Sequence, residues 1–283
     1  MRFFDYARER YQILLNRRAG QPPPWTDDPI LQKYRFCNVF RQDDTVTIWI
    51  KDNLLTPLTA SVLEWNLLPV MCAARLINRV ETLDALKDIL LEEGWHSVAC
   101  KAKLRDLRKA GRPLVTGAYM IRTPHGMDKI DGLDAILRPI QRAAKERGFE
   151  PTKTLQAQHA AIKQFPFMGD FYAYEVVTDL SYAIEYFDHY SWASAGPGAV
   201  RGLGRVFHGA PKFWVRSERQ QPRYNALMEQ LLKESHRQWP TDWPCWDMRT
   251  VEHTLCEFDK YERVRLGEGE PKQLYKHEPA HCS

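Results

Sequence analysis

Four side chains near the C-terminus of this 283-residue chain have a spacing that could do chemistry. His253, Glu257, Lys260 and Tyr261, in EHTLCEFDKYER, fall at i, i+4, i+7 and i+8. On a helix they share a face. Lys260 could then hold a phosphate oxygen, and Glu257 or His253 could take a proton or anchor an amine. The ordinary alternative is a solvated helix with a Glu257–Lys260 pair, worth a few tenths of a kcal/mol. A second set, Arg35, Asn38 and Arg41 in YRFCNVFRQDD, lies at i, i+3 and i+6. If that stretch is helical, Arg35 and Asn38 share a face, and arginine suits bidentate phosphate binding. Surface charge flanking Phe36 and Phe40 is the competing explanation.

A third candidate is SWASAGPGAVRGLGRVFHG, residues 191–209, with five glycines, a proline and two arginines between apolar segments. Gly196 and Gly198 permit positive φ and close backbone approach. Their amides with Arg201 could form an anion nest. A helix connection or a surface loop would also explain them. Asp179 sits beside Val176, Val177 and Leu180 in an apolar run. A carboxylate there is costly unless it is paired or faces a cleft, so a buried Asp–Arg pair competes with a catalytic role. In FPFMGDF, a Pro–x–x–Gly turn ending at Gly169 could leave amides free to meet an anion at the next helix. Trp25 and Trp192 could stack on a base, although burial is the commoner fate of tryptophan.

These residues need elements to position them. Apolar periodicity predicts helices over 1–18, 82–93, 131–148, 154–164, about 222–237 and 249–263. The stretch after Pro29 fits a helical stripe only roughly. TVTIWIKDNLL reads as short β-like alternation or as a helix start. Residues 58–83 read as a buried helix interrupted at Pro69. KAKLRDLRKAGR is a basic helix ending at Gly111, whose cations could contact a DNA backbone or simply face solvent. LVTGAYMIRTPHG is a hairpin or an extended crossing. An apolar helix follows the FPFMGDF turn, then a glycine-rich turn. The tail from Gly267 is polar and expected to fray. The reading is mainly α, with one domain over 1–266, or two interleaved lobes, and a polar tail over 267–283.

Hydrophobic content of 44% and aromatic content of 12% suffice for a packed core, and the formal charge of +4 is compatible with nucleic acid without requiring it. Six cysteines form no CxxC pair, so a zinc ribbon and a thioredoxin-like motif are excluded, and reduced thiols are expected. Neither a signal peptide nor an apolar run long enough to span a membrane is present. No spacing of metal ligands is evident, and no Walker-A pattern occurs.

The order of helix, proline–glycine hairpin, apolar helix and Gly/Arg-rich segment resembles the helix-hairpin-helix DNA glycosylases. Here Phe167 stands in place of the first hairpin glycine, and AGPGAVRGLGRV in place of the segment expected to carry a catalytic Asp. A more extensive resemblance rests on WTDDPILQKYRFCNVFRQDD, TGAYMI, FPFMGDFYAYEVVTDLSY, WASAGPGAVRGL and VEHTLCEFDKYER, in that order. Together they resemble the α-glutamyl/putrescinyl-thymine pyrophosphorylase family, phage amino acid:DNA transferases with a glycosylase-like helical fold. The resemblance implies action after a DNA kinase has pyrophosphorylated 5-hydroxymethyluracil in DNA. The pyrophosphate would be replaced by an amine from an amino acid or polyamine, on a flipped base, in the cytoplasm of an infected bacterium.

On that reading Asp179, Glu257 and His253 are the catalytic candidates. Arg35, Asn38, Arg41, Gly196, Gly198, Arg201, Lys260 and Tyr261 would hold substrate or pyrophosphate. Gly169, Trp25 and Trp192 would contact DNA or the base. Mg2+ bridging the pyrophosphate is compatible with this chemistry. A modified-base glycosylase and a non-catalytic DNA-binding module are the competing functions.

Overall fold

The computed structural model describes residues 2–60, 64–117, 121, 123–208 and 214–275. Among these residues the protein is helical and contains no strand; one isolated antiparallel bridge joins Tyr34 and Leu274. The chain forms two compact units, Thr45–Asp188, and Met1–Asp44 together with His189–Ser283.

In the first unit the central element is α5, Leu67–Ile77, with every residue buried. Pro69 does not interrupt a longer helix. It lies in the first turn, where the missing N–H has no intrahelical partner to lose, and the helix ends at Asn78 in the left-handed conformation. Around it pack α6 (Val80–Glu93), α8 (Lys129–Arg147) and α10 (Asp170–Ser181). The TVTIWIKDNLL stretch is helical rather than β-like: α3 (Thr45–Ile50) runs through one π turn, Lys51–Leu55, into the short α4 (Thr56–Thr59). The basic helix α7, Ser97–Lys109, pairs Lys101 and Arg105 with Asp131 and Arg108 with Asp128 of the α8 N-cap, so much of its charge is spent within the unit. The hairpin or crossing expected over 114–126 includes residues 118–120 and 122, outside the described residues.

The hairpin between α9, Leu155–Ile162, and α10 is present. Phe167 carries the left-handed φ of 65° that a glycine would hold more easily, while Gly169 has an ordinary φ of −68° as N-cap.

The second unit joins α1 (Arg2–Arg18) and α2 (Pro29–Lys33) to α11 (Pro197–Phe207), α12 (Gln221–Gln238) and α13 (Met248–Arg265). Its core is aromatic. Phe3 and Phe4 meet Trp246 edge-on or tilted, Phe3 and Tyr6 meet Phe258, and Tyr11 meets Trp239 and Trp243. Asp28 caps α2 through the Ile30 and Leu31 amides, but the helix stops at Lys33. Residues 34–40 are irregular, so Arg35, Asn38 and Arg41 do not lie on a common helical face. Part of the tail is hydrogen-bonded to the chain before Phe36: Arg35 N donates to Gln273 O, and Tyr275 N to Lys33 O.

Candidate active site

Helix α13 carries four buried carboxylates, Glu252, Glu257, Asp259 and Glu262. A buried carboxylate is tolerated only when charges or N–H donors meet it, and each of these is met. Glu252 accepts from Gly196 N (3.3 Å) and Arg249 (3.4 Å). Glu257 accepts from Cys37 N (2.8 Å) and pairs with Lys260 (2.6 Å). Asp259 accepts from Arg201 Nε (2.9 Å) and Arg205 Nε (2.7 Å). Glu262 holds Arg265 through two oxygens. The Asp247 side chain starts the helix by accepting from Thr250 N at 2.6 Å.

The first face brings together much of what the spacing suggested. Glu257 and Lys260 pair, as the ordinary reading allowed, but not on a solvated helix. Glu257 is buried, and Lys260 Nζ lies 4.7 Å from the Phe36 ring centre. Burial pushes the Glu257 pKa up. The Lys260 and His253 charges, with hydrogen bonds from Lys260 and the Cys37 amide, outweigh that and leave it below the ordinary carboxylate value. Such a group is a weak proton acceptor and a good anchor for a cation. Tyr261 donates to Asp28 at 2.6 Å and packs on Tyr6 and Phe36. Burial and this bond to Asp28 raise the phenol pKa. Its role in the structure is therefore to tie α13 to α2.

Sequence reasoning missed Arg10. It lies on α1 among aromatic residues, where only an apolar position would be expected. Its Nη2 donates to Phe36 O (3.2 Å) and Asn38 Oδ1 (2.6 Å), while the buried Nη1 has no hydrogen-bond partner among the described residues. Asn38 Nδ2 in turn donates to Asp43 O, so this side chain fixes the irregular 36–43 segment beside Glu257. Arg35 is exposed and Arg41 is buried in the same stretch.

The glycine-rich segment departs most from its sequence reading. It is the helix α11, not a turn, with Gly196 as N-cap and Pro197 at the first helical position. Neither Gly196 nor Gly198 has positive φ, and the Gly196 amide already faces the Glu252 carboxylate. The glycines serve helix packing. A Cβ at Gly198 would lie 2.4 Å from Cys256 Sγ, and one at Gly202 2.3 Å from the Leu255 carbonyl oxygen. This close approach is what carries Arg201 and Arg205 onto Asp259.

Asp179 belongs to the other unit and takes the structural alternative. It is 1% exposed, and Arg75 Nε and Nη2 each reach it at 2.5 Å, with Arg75 Nη2 also on Thr47. Gly169 also lies in that unit, next to Asp170, whose carboxylate pairs with Lys163 at 2.5 Å at the α10 N-terminus. Trp192 is buried; Trp25 is half-buried and donates through Nε1 to Gln21 O. Among the described residues no group of three or more His, Cys, Asp or Glu converges as metal ligands. Within the same limit, no helix is long and apolar enough to cross a membrane.

Helix α13 of this helical protein thus brings four buried carboxylates together with arginines, a lysine and a histidine. The chain belongs to the family described as the 5-hmdU DNA kinase helical domain, whose model matches residues 1–270. It is similar to the 5-hmdU DNA kinase of Bacillus phage SP10, at 30% identity over 292 aligned positions covering 92% of this chain. The chain spans 44% of that relative's length. No solved structure matched.

Proposed function

We propose that this protein acts on 5-hydroxymethyluracil in phage DNA after that base has been pyrophosphorylated, replacing the pyrophosphate with an amine. The observation that carries this reading is the Glu257–Lys260 pair, a buried carboxylate held ionised beside a partly accessible ammonium. Loss of pyrophosphate develops negative charge on the leaving group and positive charge on the exocyclic methylene. A site for this step needs cations at the phosphates and a fixed negative charge near the methylene or the incoming amine. Lys260, Arg35 and Arg201 supply the cations. Glu257 anchors the protonated amine until it sheds a proton, and His253, one turn away, is the candidate acceptor.

Family membership supports a substrate of the 5-hmdU class. The step after phosphorylation, rather than the kinase step, is read from the five motifs that resemble the amino acid:DNA transferases. The hairpin at Gly169, with Phe167 and Phe171 about half exposed, is the proposed DNA contact, and a glycosylase-like scaffold would suit extrusion of the base. The amine is an amino acid or a polyamine.

The test is incubation with DNA containing the pyrophosphorylated base and a mixture of candidate amines, followed by digestion to nucleosides and mass analysis. A nucleoside heavier by the amine, with pyrophosphate released, is the expected product. Free base with an abasic site would identify a glycosylase instead. Unchanged nucleosides would reduce the protein to a binding module.

A further inference from the structure

We propose that Arg201 and Arg263, aligned by the buried carboxylate of Asp259, form a clamp for a phosphate group. This rests on the phosphate reading of Arg201 and adds a second ligand and the residue that positions both. Arg201 Nε and Arg263 Nε approach the same oxygen, Asp259 Oδ2, at 2.9 and 3.6 Å. Two guanidinium groups converging on one atom lie side by side. Arg201 donates through Nε to that oxygen, whereas Arg263 Nε makes only an ion-pair contact with it and has no hydrogen-bond partner among the described residues; their side chains are 37% and 38% exposed, which leaves guanidinium edges accessible to another acceptor.

The third arginine of the cluster is arranged differently. Arg205 is 4% exposed and divides itself between Asp259 Oδ1 (2.7 Å) and Glu268 (2.6 Å). Three guanidinium groups against the carboxylates of Asp259 and Glu268 leave one positive charge, at the exposed edges. A planar fork matches phosphate oxygens, and two side by side match a multiply charged one. The glycine contacts of α11 with α13 make this possible, because a wider helix spacing would carry Arg201 out of reach of Asp259. Asp259 itself is 0% exposed and is a positioning residue; it would not touch the ligand.

The phosphate could be the leaving diphosphate or a DNA backbone phosphate, and the experiment separates them. Inorganic pyrophosphate is titrated calorimetrically into the wild type and into Arg263→Ala, Arg201→Ala and Arg263→Lys. Unmodified duplex binding is followed in parallel over a salt series, with circular dichroism confirming the fold of each variant. Either alanine variant should bind pyrophosphate about tenfold more weakly, with Arg263→Lys between it and the wild type because charge returns without the fork. If pyrophosphate binding is unchanged but duplex affinity falls, with a salt slope shallower by about one per arginine removed, the clamp stands and its phosphate is the backbone. If folded Arg201→Ala and Arg263→Ala leave both affinities unchanged, or if the wild type binds neither probe, the clamp is wrong. A wild type that binds pyrophosphate through Arg263 yet makes no modified nucleoside retains the clamp and overturns the transferase reading.

Discussion

At the scale of single residues, a carboxylate inside an apolar helix is tolerated when it is neutralised, and what neutralises it decides what it can do. Asp179 is satisfied twice by Arg75, both buried. Removing one partner strands the other charge in a dry interior, at a cost of about 3–5 kcal/mol. Asp179→Ala and Arg75→Ala should therefore lower the denaturant midpoint strongly. Asp179→Asn, which keeps the shape, should lose stability but keep the saturated transfer rate at whatever fraction remains folded. A specific loss of turnover in folded Asp179→Asn would restore the catalytic role that its sequence position suggested. Glu257 is satisfied by a side chain that solvent also reaches. Its folded pKa lies below its unfolded value of about 4.3, so its contribution to stability is complete above that pH and is lost as pH falls through the folded value. The urea midpoint of the wild type should fall further between pH 7 and about pH 3 than that of Glu257→Gln. Equal falls would mean that the pair does not hold Glu257 ionised.

At the scale of elements, the helices with strong apolar periodicity were legible. The helix expected over 131–148 ends at Gly148, and EHTLCEFDKYER forms the helix its spacing implied. The failures have physical causes. Glycine promotes turns through positive φ, yet at 198 and 202 it is required because a neighbouring helix occupies the Cβ position, a long-range fact that no local pattern reveals. Pro69 resembled an interruption because the helix start at Leu67 is set by tertiary packing. Arg10 carried no signal, since its partners, Phe36 O and Asn38, are 26 and 28 residues away. The packing account gives a ranked expectation. Gly202→Ala must displace backbone and should destabilise by about 1–3 kcal/mol. Gly196→Ala meets only ordinary contact, 3.5 Å from Glu252, and should cost less. Thermal unfolding of the two variants checks the order, and a Gly202→Ala protein as stable as the wild type would mean that α11 and α13 do not pack this closely.

At the scale of the whole molecule, the mildly basic composition hid a sharper distribution. Cations of the basic helix α7 are spent on Asp128 and Asp131, whereas the α13 cluster keeps partly exposed arginines and a lysine. On the proposed function, these α13 cations act on the leaving pyrophosphate rather than gripping DNA in general. The most direct measurement is the single-turnover rate of pyrophosphate release from saturating pyrophosphorylated DNA, for wild type and Lys260→Ala, alongside the affinity of each for unmodified duplex. A charged hydrogen bond worth roughly 1.5–3 kcal/mol, formed mainly in the transition state, corresponds to about one to two decades in rate. Lys260→Ala should slow release by that much and leave affinity for unmodified DNA unchanged. An unchanged saturated rate, with affinity lost equally for modified and unmodified DNA, would contradict the account.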